Sequence, residues 1–217
     1  METLATEIVG EGMTDLPINQ VVVGDVLDGL RTLPDECVDC VVTSPPYWGL
    51  RDYGVEGQIG LEATPDEFVA RMVEVFREVR RVLAGHGTCW VNLGSSYCSG
   101  TDANRKHGNG DCASWTTRNQ PQRTASVGGF KPKDMVPIHW MVAMALQADG
   151  WWLRQDIIWA KPNPMPESVT DRCTKAHEYV FLLTKQPRYW YDAEAVKEEG
   201  EGYGRGTGPG GFRSKRY

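Results

Sequence analysis

The valine-rich run at residues 38–42 leads directly into Thr43 and then the tetrad Ser44-Pro45-Pro46-Tyr47. Two consecutive prolines hold φ near about −65° and supply no N–H donor, so a strand has to end there. The carbonyl groups of Ser44 and Pro45 are then held as acceptors, and the Ser44 hydroxyl can donate or accept. The ring of Tyr47 offers a face for stacking. This combination suits a flat ring with an exocyclic amine, such as a nucleobase.

Short β-branched runs alternate with amphipathic segments along the rest of the chain. Strands are predicted at residues 21–23, 38–43, 88–93, 153–159 and 179–184. Helices are predicted from Val26 to Leu33, from the capping box at Thr64 to Gly85, and from Asp134 to Gly150. This alternation predicts an α/β fold with a mainly parallel sheet, helices on both faces and ligands at the carboxyl ends of the strands. Asp25 and Ser44 each follow a predicted strand and are therefore expected at that edge.

The tetrad resembles that of the DNA amino-methyltransferases, which carry (Ser/Asp/Asn)-Pro-Pro-(Tyr/Phe) and transfer a methyl group from S-adenosyl-L-methionine. The approach to the tetrad and the segment 151–192 also resemble this family, so that the resemblance covers residues 18–192. It implies a Rossmann-like sheet of the S-adenosylmethionine-dependent methyltransferase type, with double-stranded DNA as the partner. The serine form of the tetrad resembles the cytosine-N4 branch.

The same resemblance assigns roles to individual residues. It implies that Ser44, Pro45, Pro46 and Tyr47 are catalytic and lie between the methyl group of the cofactor and the target base. It implies that Asp25 lies near the cofactor adenine and that Ser44 also contacts the cofactor. Asp25 has an ordinary alternative role as the N-cap of the following helix, and the two roles are compatible. His177 and Glu178 fall on family motif positions, and we interpret them as structural.

A transfer to an exocyclic amine is consistent with these groups. The cytosine amine is a poor nucleophile because its lone pair is delocalised, and acceptors at Ser44 and Pro45 would favour a pyramidal nitrogen. The base has to leave the duplex to react, and Tyr47 would stack on it. Methylation at ring carbon 5 would instead need a cysteine that follows proline, and the sequence contains no Pro-Cys pair.

The net charge is −6, but the charge is segregated along the chain. Residues 99–133 carry a local +4 and residues 205–217 another +4, which leaves −14 for the remainder. We predict that the basic loop 97–133 contacts DNA phosphates, whereas the alternative is a pair of solvated loops. The predicted DNA-binding residues are Arg51, Arg105, Lys106, Arg118 and Arg123. For Arg51 an ordinary surface position is the alternative.

One catalytic domain is expected at residues 18–192, after an N-terminal tail at 1–17. Residues 193–217 are interpreted as a flexible glycine-rich tail or as the start of a truncated recognition region. In this family the tetrad can precede a Phe-x-Gly-x-Gly cofactor turn, and that motif does not occur here. The glycine run 200–211 follows no apolar strand. The sequence therefore predicts a sheet without the strands of the glycine-rich motif, completed by a complementary chain or a further C-terminal segment.

Other classes of site receive little support. Cys37 and Cys40 lie on the way into an apolar run, where cysteine acts as a small hydrophobe, and we predict no metal site. No signal peptide or run of 18 apolar residues is found, which predicts a cytoplasmic protein without a membrane partner. The leading hypothesis is a cytosine-N4 DNA methyltransferase. The alternatives are an adenine-N6 enzyme, a non-catalytic DNA-binding relic, and methylation of RNA or of a protein amide.

Overall fold

The structure is a computed structural model that describes residues 16–98, 129–131, 133–168 and 170–197. Its helices are α1 (Val26–Arg31), α2 (Pro65–Val82) and α3 (Ile138–Ala148). Its strands are β1 (Val38–Thr43), β2 (Leu83–Leu93), β3 (Ser96–Tyr97), β4 (Met135–Val136), β5 (Trp152–Ala160) and β6 (His177–Thr184). Among these helices, none has the length and apolar character needed to cross a membrane.

A four-stranded sheet in the order β1-β2-β6-β5 organises the domain. β1 and β2 are parallel, whereas β6 is antiparallel to both of its neighbours. Three strands therefore run in one direction and β6 runs in the other. The predicted α/β class is confirmed, and the sheet is mixed. Antiparallel pairing of β5 with β6 arises because a loop without a helix joins them, and parallel neighbours would need a longer crossover.

The helix α2 follows from its local sequence. The Thr64 hydroxyl accepts a hydrogen bond from the Glu67 N–H at 3.2 Å, and the Glu67 carboxylate accepts one from the Thr64 N–H at 3.3 Å. This capping box satisfies donors that the first helical turn leaves free. The helix ends at Val82, before the predicted Gly85, because the backbone is already extended at Leu83, where β2 begins.

The core lies between α2, α3 and one face of the sheet. Phe68 and Phe76 of α2 are buried in the same cluster as Cys89 and Val91 of β2. On the other face Val42 is 78% exposed and Trp159 is 59% exposed. Helices were predicted on both faces, but within the described residues they cover one.

The strand predicted at residues 21–23 is wrong. These residues form no strand in the structure, and Val21 and Val23 are 91% and 92% exposed. An extended segment becomes a strand only when a neighbour takes up its N–H and C=O groups, and no described strand lies beside this one. Asp25 therefore follows an unpaired segment.

Candidate active site

The tetrad begins where β1 leaves the sheet. Thr43, the last residue of β1, is opposite Val91 of β2, and Ser44 is exposed beyond it. Trp48 anchors the turn that follows, because it is 3% exposed and its indole N–H donates to the Glu62 carbonyl at 2.9 Å. The tetrad is therefore held between a strand end and a buried tryptophan.

The two hydroxyl groups of the tetrad meet at one side-chain amide. The Tyr47 hydroxyl donates to Oδ1 of Asn92 at 2.9 Å, and the Ser44 hydroxyl donates to the same oxygen at 3.3 Å. Nδ2 of Asn92 donates to the main-chain carbonyl of Tyr179 at 3.1 Å. Because Asn92 lies on β2 and Tyr179 on β6, two central strands of the sheet hold the tetrad.

An ion pair extends this cluster towards β5. The Tyr47 hydroxyl lies 3.4 Å from Oε2 of Glu178, and Oε1 of Glu178 pairs with the Lys161 ammonium. Burial acts to raise the pKa of Glu178, but Lys161, with smaller contributions from Asn92 and Tyr47, outweighs it and lowers that pKa. Burial, opposed by Ser44 and reinforced by Glu178, raises the pKa of Tyr47. At neutral pH the site therefore holds an ionised carboxylate beside a neutral phenol.

The residues after β2 pack against the ring of Tyr47. A Cβ atom on Gly94 would lie 2.8 Å from Cε2 of Tyr47, so that the ring leaves no room for a larger residue. Ser95 follows Gly94, and its hydroxyl accepts a hydrogen bond from the Lys175 ammonium at 2.5 Å. Partial burial lowers the pKa of Lys175. A second lysine thus lies at the edge of the sheet that carries the tetrad.

The predicted basic loop is closed at its base beside the tetrad. β3 pairs with β4, with Ser96 opposite Val136, and the Ser96 hydroxyl donates to the Trp48 carbonyl at 2.9 Å. The Arg172 guanidinium carbon lies 4.0 Å from the centre of the Tyr97 ring, a cation–π contact. The chain therefore leaves for the basic segment, and returns from it, next to the candidate active site.

Two cavities flank the tetrad. The smaller, of about 250 Å³, is lined by the whole tetrad and by Leu50, Arg51 and Tyr53. The larger, of about 660 Å³, has Asp25 in its lining together with residues 41–46 and apolar side chains of α2. Ser44, Pro45 and Pro46 line both cavities. The first three residues of the tetrad thus line two cavities at once.

Asp25 caps α1 as the sequence predicted. Its Oδ1 accepts hydrogen bonds from the N–H groups of Leu27 at 2.8 Å and Asp28 at 3.2 Å. Both bonds use the same oxygen, so the second carboxylate oxygen, Oδ2, takes no part in the cap, and Asp25 also lines the larger cavity. The capping role is confirmed, and it leaves room for the cofactor role that the resemblance implies.

The chain was compared with models of known protein families. The family model for N6/N4 DNA methylases matches residues 38–205. The chain belongs to this family. The match includes the tetrad, Asn92, Lys161 and Glu178, and it leaves the N4 and N6 branches unresolved.

Curated DNA methylases of this kind are close in sequence to the chain. It is 50% identical over 193 residues to the type II methyltransferase M.Cfr9I of Citrobacter freundii, covering 89% of this chain and 61% of that protein. It is 49% identical over 179 residues to M.SmaI of Serratia marcescens, covering 82% of this chain and 60% of that protein. The chain thus spans about three fifths of the length of these relatives.

Solved structures of more distant proteins share the fold. One is the PvuII DNA methyltransferase, described as cytosine-N4-specific, with a TM-score of 0.53 and 16% identity over 81% of this chain and 54% of that chain. Another is a putative DNA modification methylase of Thermus thermophilus, TTHA0409, solved with S-adenosyl-L-methionine. Its TM-score is 0.50, with 23% identity over 80% of this chain and 56% of that chain. At these identities the likeness concerns the fold alone.

The predicted DNA-binding residues are only partly visible in this methylase domain. Arg51 lines the smaller cavity next to the tetrad. Arg105, Lys106, Arg118 and Arg123 lie outside the described residues. As for metals, a search of the described part of the chain finds no group of three or more His, Cys, Asp or Glu side chains placed to hold an ion.

The sequence analysis missed three polar residues that contact the tetrad or its partners. Asn92 lies near the end of a predicted strand, and the rule that drew attention to Asp25 and Ser44 could have selected it too. Glu178 was interpreted as structural, whereas it lies beside the Tyr47 hydroxyl. Lys161 directly follows β5, and its pairing with Glu178 depends on the β5–β6 register. No local sequence pattern indicates that pairing.

Proposed function

We propose that this chain is the tetrad-bearing part of a cytoplasmic DNA methyltransferase that transfers a methyl group from S-adenosyl-L-methionine to the N4 amine of cytosine in double-stranded DNA. The observation that carries the proposal is that Ser44, Pro45 and Pro46 line two cavities at once. Asp25 lines one of these cavities, and Tyr47 and Arg51 line the other. A direct methyl transfer needs the two bound molecules in contact, and the residues shared by the two cavities are where the methyl group and the amine would meet.

The larger cavity is suited to the cofactor. Oδ2 of Asp25 can accept hydrogen bonds from the cofactor, and Val41 and Phe76 supply apolar surface in the same cavity. Ser44, where the two cavities meet, would contact the reacting end. When bound, S-adenosyl-L-methionine supplies an electrophilic methyl group. The contribution of the chain is to hold the two reactants in line, which can be worth about 7–11 kcal/mol in well-oriented reactions.

The target amine would bind at Ser44 and Pro45. Within the described residues, neither of their carbonyl groups accepts a hydrogen bond from the protein. Both carbonyls are thus available to the N–H groups of an exocyclic amine, and binding both hydrogens favours the pyramidal nitrogen that attacks. Tyr47 would stack on the flipped base, and its hydroxyl is already held by Asn92.

The DNA duplex would be held by Arg51 and by the basic segment. Arg51 lines the smaller cavity, and Arg105, Lys106, Arg118 and Arg123 belong to the segment that leaves and returns at β3 and β4. Phosphate contacts of this kind position the duplex without selecting its sequence. This arrangement favours DNA over a protein amide as the substrate.

The proposal that cytosine is the target base rests on Ser44. At this position a neutral hydroxyl replaces the Asp or Asn that is usual in adenine enzymes. Adenine-N6 methylation is the alternative. Incubating the full-length protein with labelled cofactor and plasmid DNA, followed by mass spectrometry of the nucleosides, tests the choice. We expect N4-methyl-2′-deoxycytidine. N6-methyl-2′-deoxyadenosine as the main product would overturn the assignment to cytosine, and no labelled product together with tight DNA binding would support the non-catalytic relic.

We also propose that a further segment completes the cofactor site. This chain spans about three fifths of the length of its curated relatives. Among the described residues no strand pairs with β1 on the side away from β2, and β1 also lines the cavity beside Asp25. A glycine-rich turn on an added strand would allow backbone to approach the cofactor there. That strand would come from a C-terminal continuation or from a complementary chain.

A further inference from the structure

We propose that Asn92 makes Ser44 a hydrogen-bond acceptor and thereby selects a target base that presents an amine over one that presents a carbonyl. This inference rests on the proposed function, because it concerns the base that enters the tetrad pocket. It extends that function to a residue outside the tetrad. Asn92 is a positioning residue here, since it acts through the hydroxyl group of Ser44.

The hydroxyl hydrogens of Ser44 and Tyr47 decide which groups the tetrad can offer to a base. A serine hydroxyl has one hydrogen and two lone pairs, and the hydrogen of Ser44 is donated to Oδ1 of Asn92. The Tyr47 hydroxyl has two acceptors within reach of its single hydrogen, Oδ1 of Asn92 at 2.9 Å and Oε2 of Glu178 at 3.4 Å. Oδ1 of Asn92 therefore engages the hydrogen of Ser44, and the hydroxyl oxygen of Ser44 is left with lone pairs only.

A second hydrogen bond fixes the orientation of the Asn92 amide. Nδ2 of Asn92 donates to the carbonyl of Tyr179 at 3.1 Å, and a main-chain carbonyl can only accept. Rotating the amide by half a turn would place Oδ1 against that carbonyl and would point N–H groups at Ser44 and Tyr47. The sheet thus holds Asn92 with its oxygen towards the tetrad.

The target base would contact hydrogen-bond acceptors at the tetrad. Pro45 and Pro46 have no N–H, and the hydroxyl hydrogen of Ser44 is engaged, so the cavity lining formed by these three residues offers acceptors only. The amine of cytosine or adenine can donate to it. The O4 carbonyl of uracil or thymine would face other acceptors and would lose its hydrogen bonds to water. A polar mismatch of this size corresponds to about a tenfold loss of affinity.

The experiment uses the full-length protein and compares two target bases. The methylated sequence is first mapped in plasmid DNA. Duplexes of that sequence then carry cytosine or uracil at the target position, each opposite an abasic site so that neither base is paired. We expect the wild-type protein to bind the cytosine duplex about tenfold more tightly. Equal binding by the wild-type protein would overturn the proposal.

Variants separate the role of Asn92 from simple stability. Asn92→Leu releases the Ser44 hydrogen, and we expect the cytosine-to-uracil ratio to fall to about one. Asn92→Asp keeps an acceptor towards Ser44 but loses the N–H that bonds the Tyr179 carbonyl, so we expect it to keep the ratio and to lower the melting temperature. Gln147→Leu replaces an exposed amide of α3 and is the matched control, with the ratio unchanged. A wild-type ratio in Asn92→Leu would contradict the inference.

Two further measurements keep the outcomes distinct. Thermal melting checks each variant, and Asn92→Ala repeats the test if the leucine variant does not fold. If the protein methylates no DNA, the proposed function fails, and the inference is tested separately by NMR titration with cytidine and uridine. Preferential binding of cytidine that is lost in Asn92→Ala supports the inference, and equal binding of the two nucleosides overturns it.

Discussion

The two sides of the tetrad differ in how completely this chain builds them. On the side of β2 and β6, the tetrad hydroxyls are bonded to Asn92, and the strands beneath are buried, with Val91 and Phe181 each 1% exposed. On the side of β1, Val42 is 78% exposed, and the segment with Val21 and Val23 pairs with no described strand. The side of β2 and β6 thus has bonded polar groups and buried apolar side chains, whereas the side of β1 leaves its apolar side chains exposed.

This difference indicates how the proposed site is divided. The groups that would contact the base are held by hydrogen bonds within the chain. The base-binding half of the proposed site is therefore preorganised. The groups that would meet the cofactor surround an open cavity at the edge of the sheet. A free edge and exposed valines are features that an added strand would cover.

The largest effect is expected on the β1 side. We predict that residues 1–217 alone bind S-adenosyl-L-methionine at least about a hundredfold more weakly than the full-length protein, a difference of about 2.8 kcal/mol. In the proposed site, Asp25 and Ser44 would supply two of the contacts that a cofactor needs. Isothermal titration calorimetry of both proteins measures the difference. Micromolar binding and methyl transfer by residues 1–217 alone would refute the division.

The next effect is expected on the preorganised side. Tyr47→Ala removes a stacking surface worth about 1–3 kcal/mol per base and should lower DNA turnover by about 5- to 150-fold. Tyr47→Phe keeps the ring and loses only the bonds to Asn92 and Glu178, so we expect a smaller loss. Steady-state methylation rates compare the two. Turnover at the wild-type rate in Tyr47→Ala would show that the tetrad tyrosine is not a stacking residue.

A smaller effect concerns pH and the pair between Lys161 and Glu178. The pKa of Glu178 is lowered in the folded protein, so its contribution to stability is present above the unfolded pKa and is lost as the pH falls through the folded value. Lys161→Met should raise the pKa of Glu178 and move this loss to higher pH. The pair is partly exposed and is worth about 0.2–1 kcal/mol.

Melting temperatures between about pH 3 and pH 7 measure this shift. The charged or titratable groups that act on Glu178 are Lys161, Lys175 and Tyr47, and the last two stay in place in the variant. Lys197→Met is the matched control, because its exposed pair with Glu194 lies away from the tetrad. Identical acid profiles for Lys161→Met and the wild-type protein would mean that the ion pair does not hold Glu178 ionised.

The smallest effect is expected for single phosphate contacts. Arg51→Ala should reduce the slope of log affinity for DNA against log salt by about one, and replacing both Arg118 and Arg123 by Ala should reduce it by about two. Arg31→Ala, on the exposed face of α1, serves as the control with an unchanged slope. Filter binding over a salt series gives the slopes. A wild-type slope in the double variant would place the basic loop away from the DNA.

Elements that depend on neighbouring residues could be predicted from the sequence. The capping box at Thr64, the N-cap at Asp25 and the strand that ends before Ser44 were all predicted, because each needs only residues within a few positions. The tetrad was also evident from sequence, since two prolines have the same backbone chemistry in any fold. Resemblance to a known family then supplied the expected cofactor and substrate.

The packing of segments that are distant along the chain decided which residues surround the tetrad. Asn92 and Glu178 reach Tyr47 across 45 and 131 residues of chain, through a strand order that no local pattern specifies. It also decided that residues 21–23 form no strand, since a β-branched run needs a neighbour to bond with. Local propensity fixes a conformation only when partners from elsewhere in the chain are present, and this explains why the polar cluster could not be predicted.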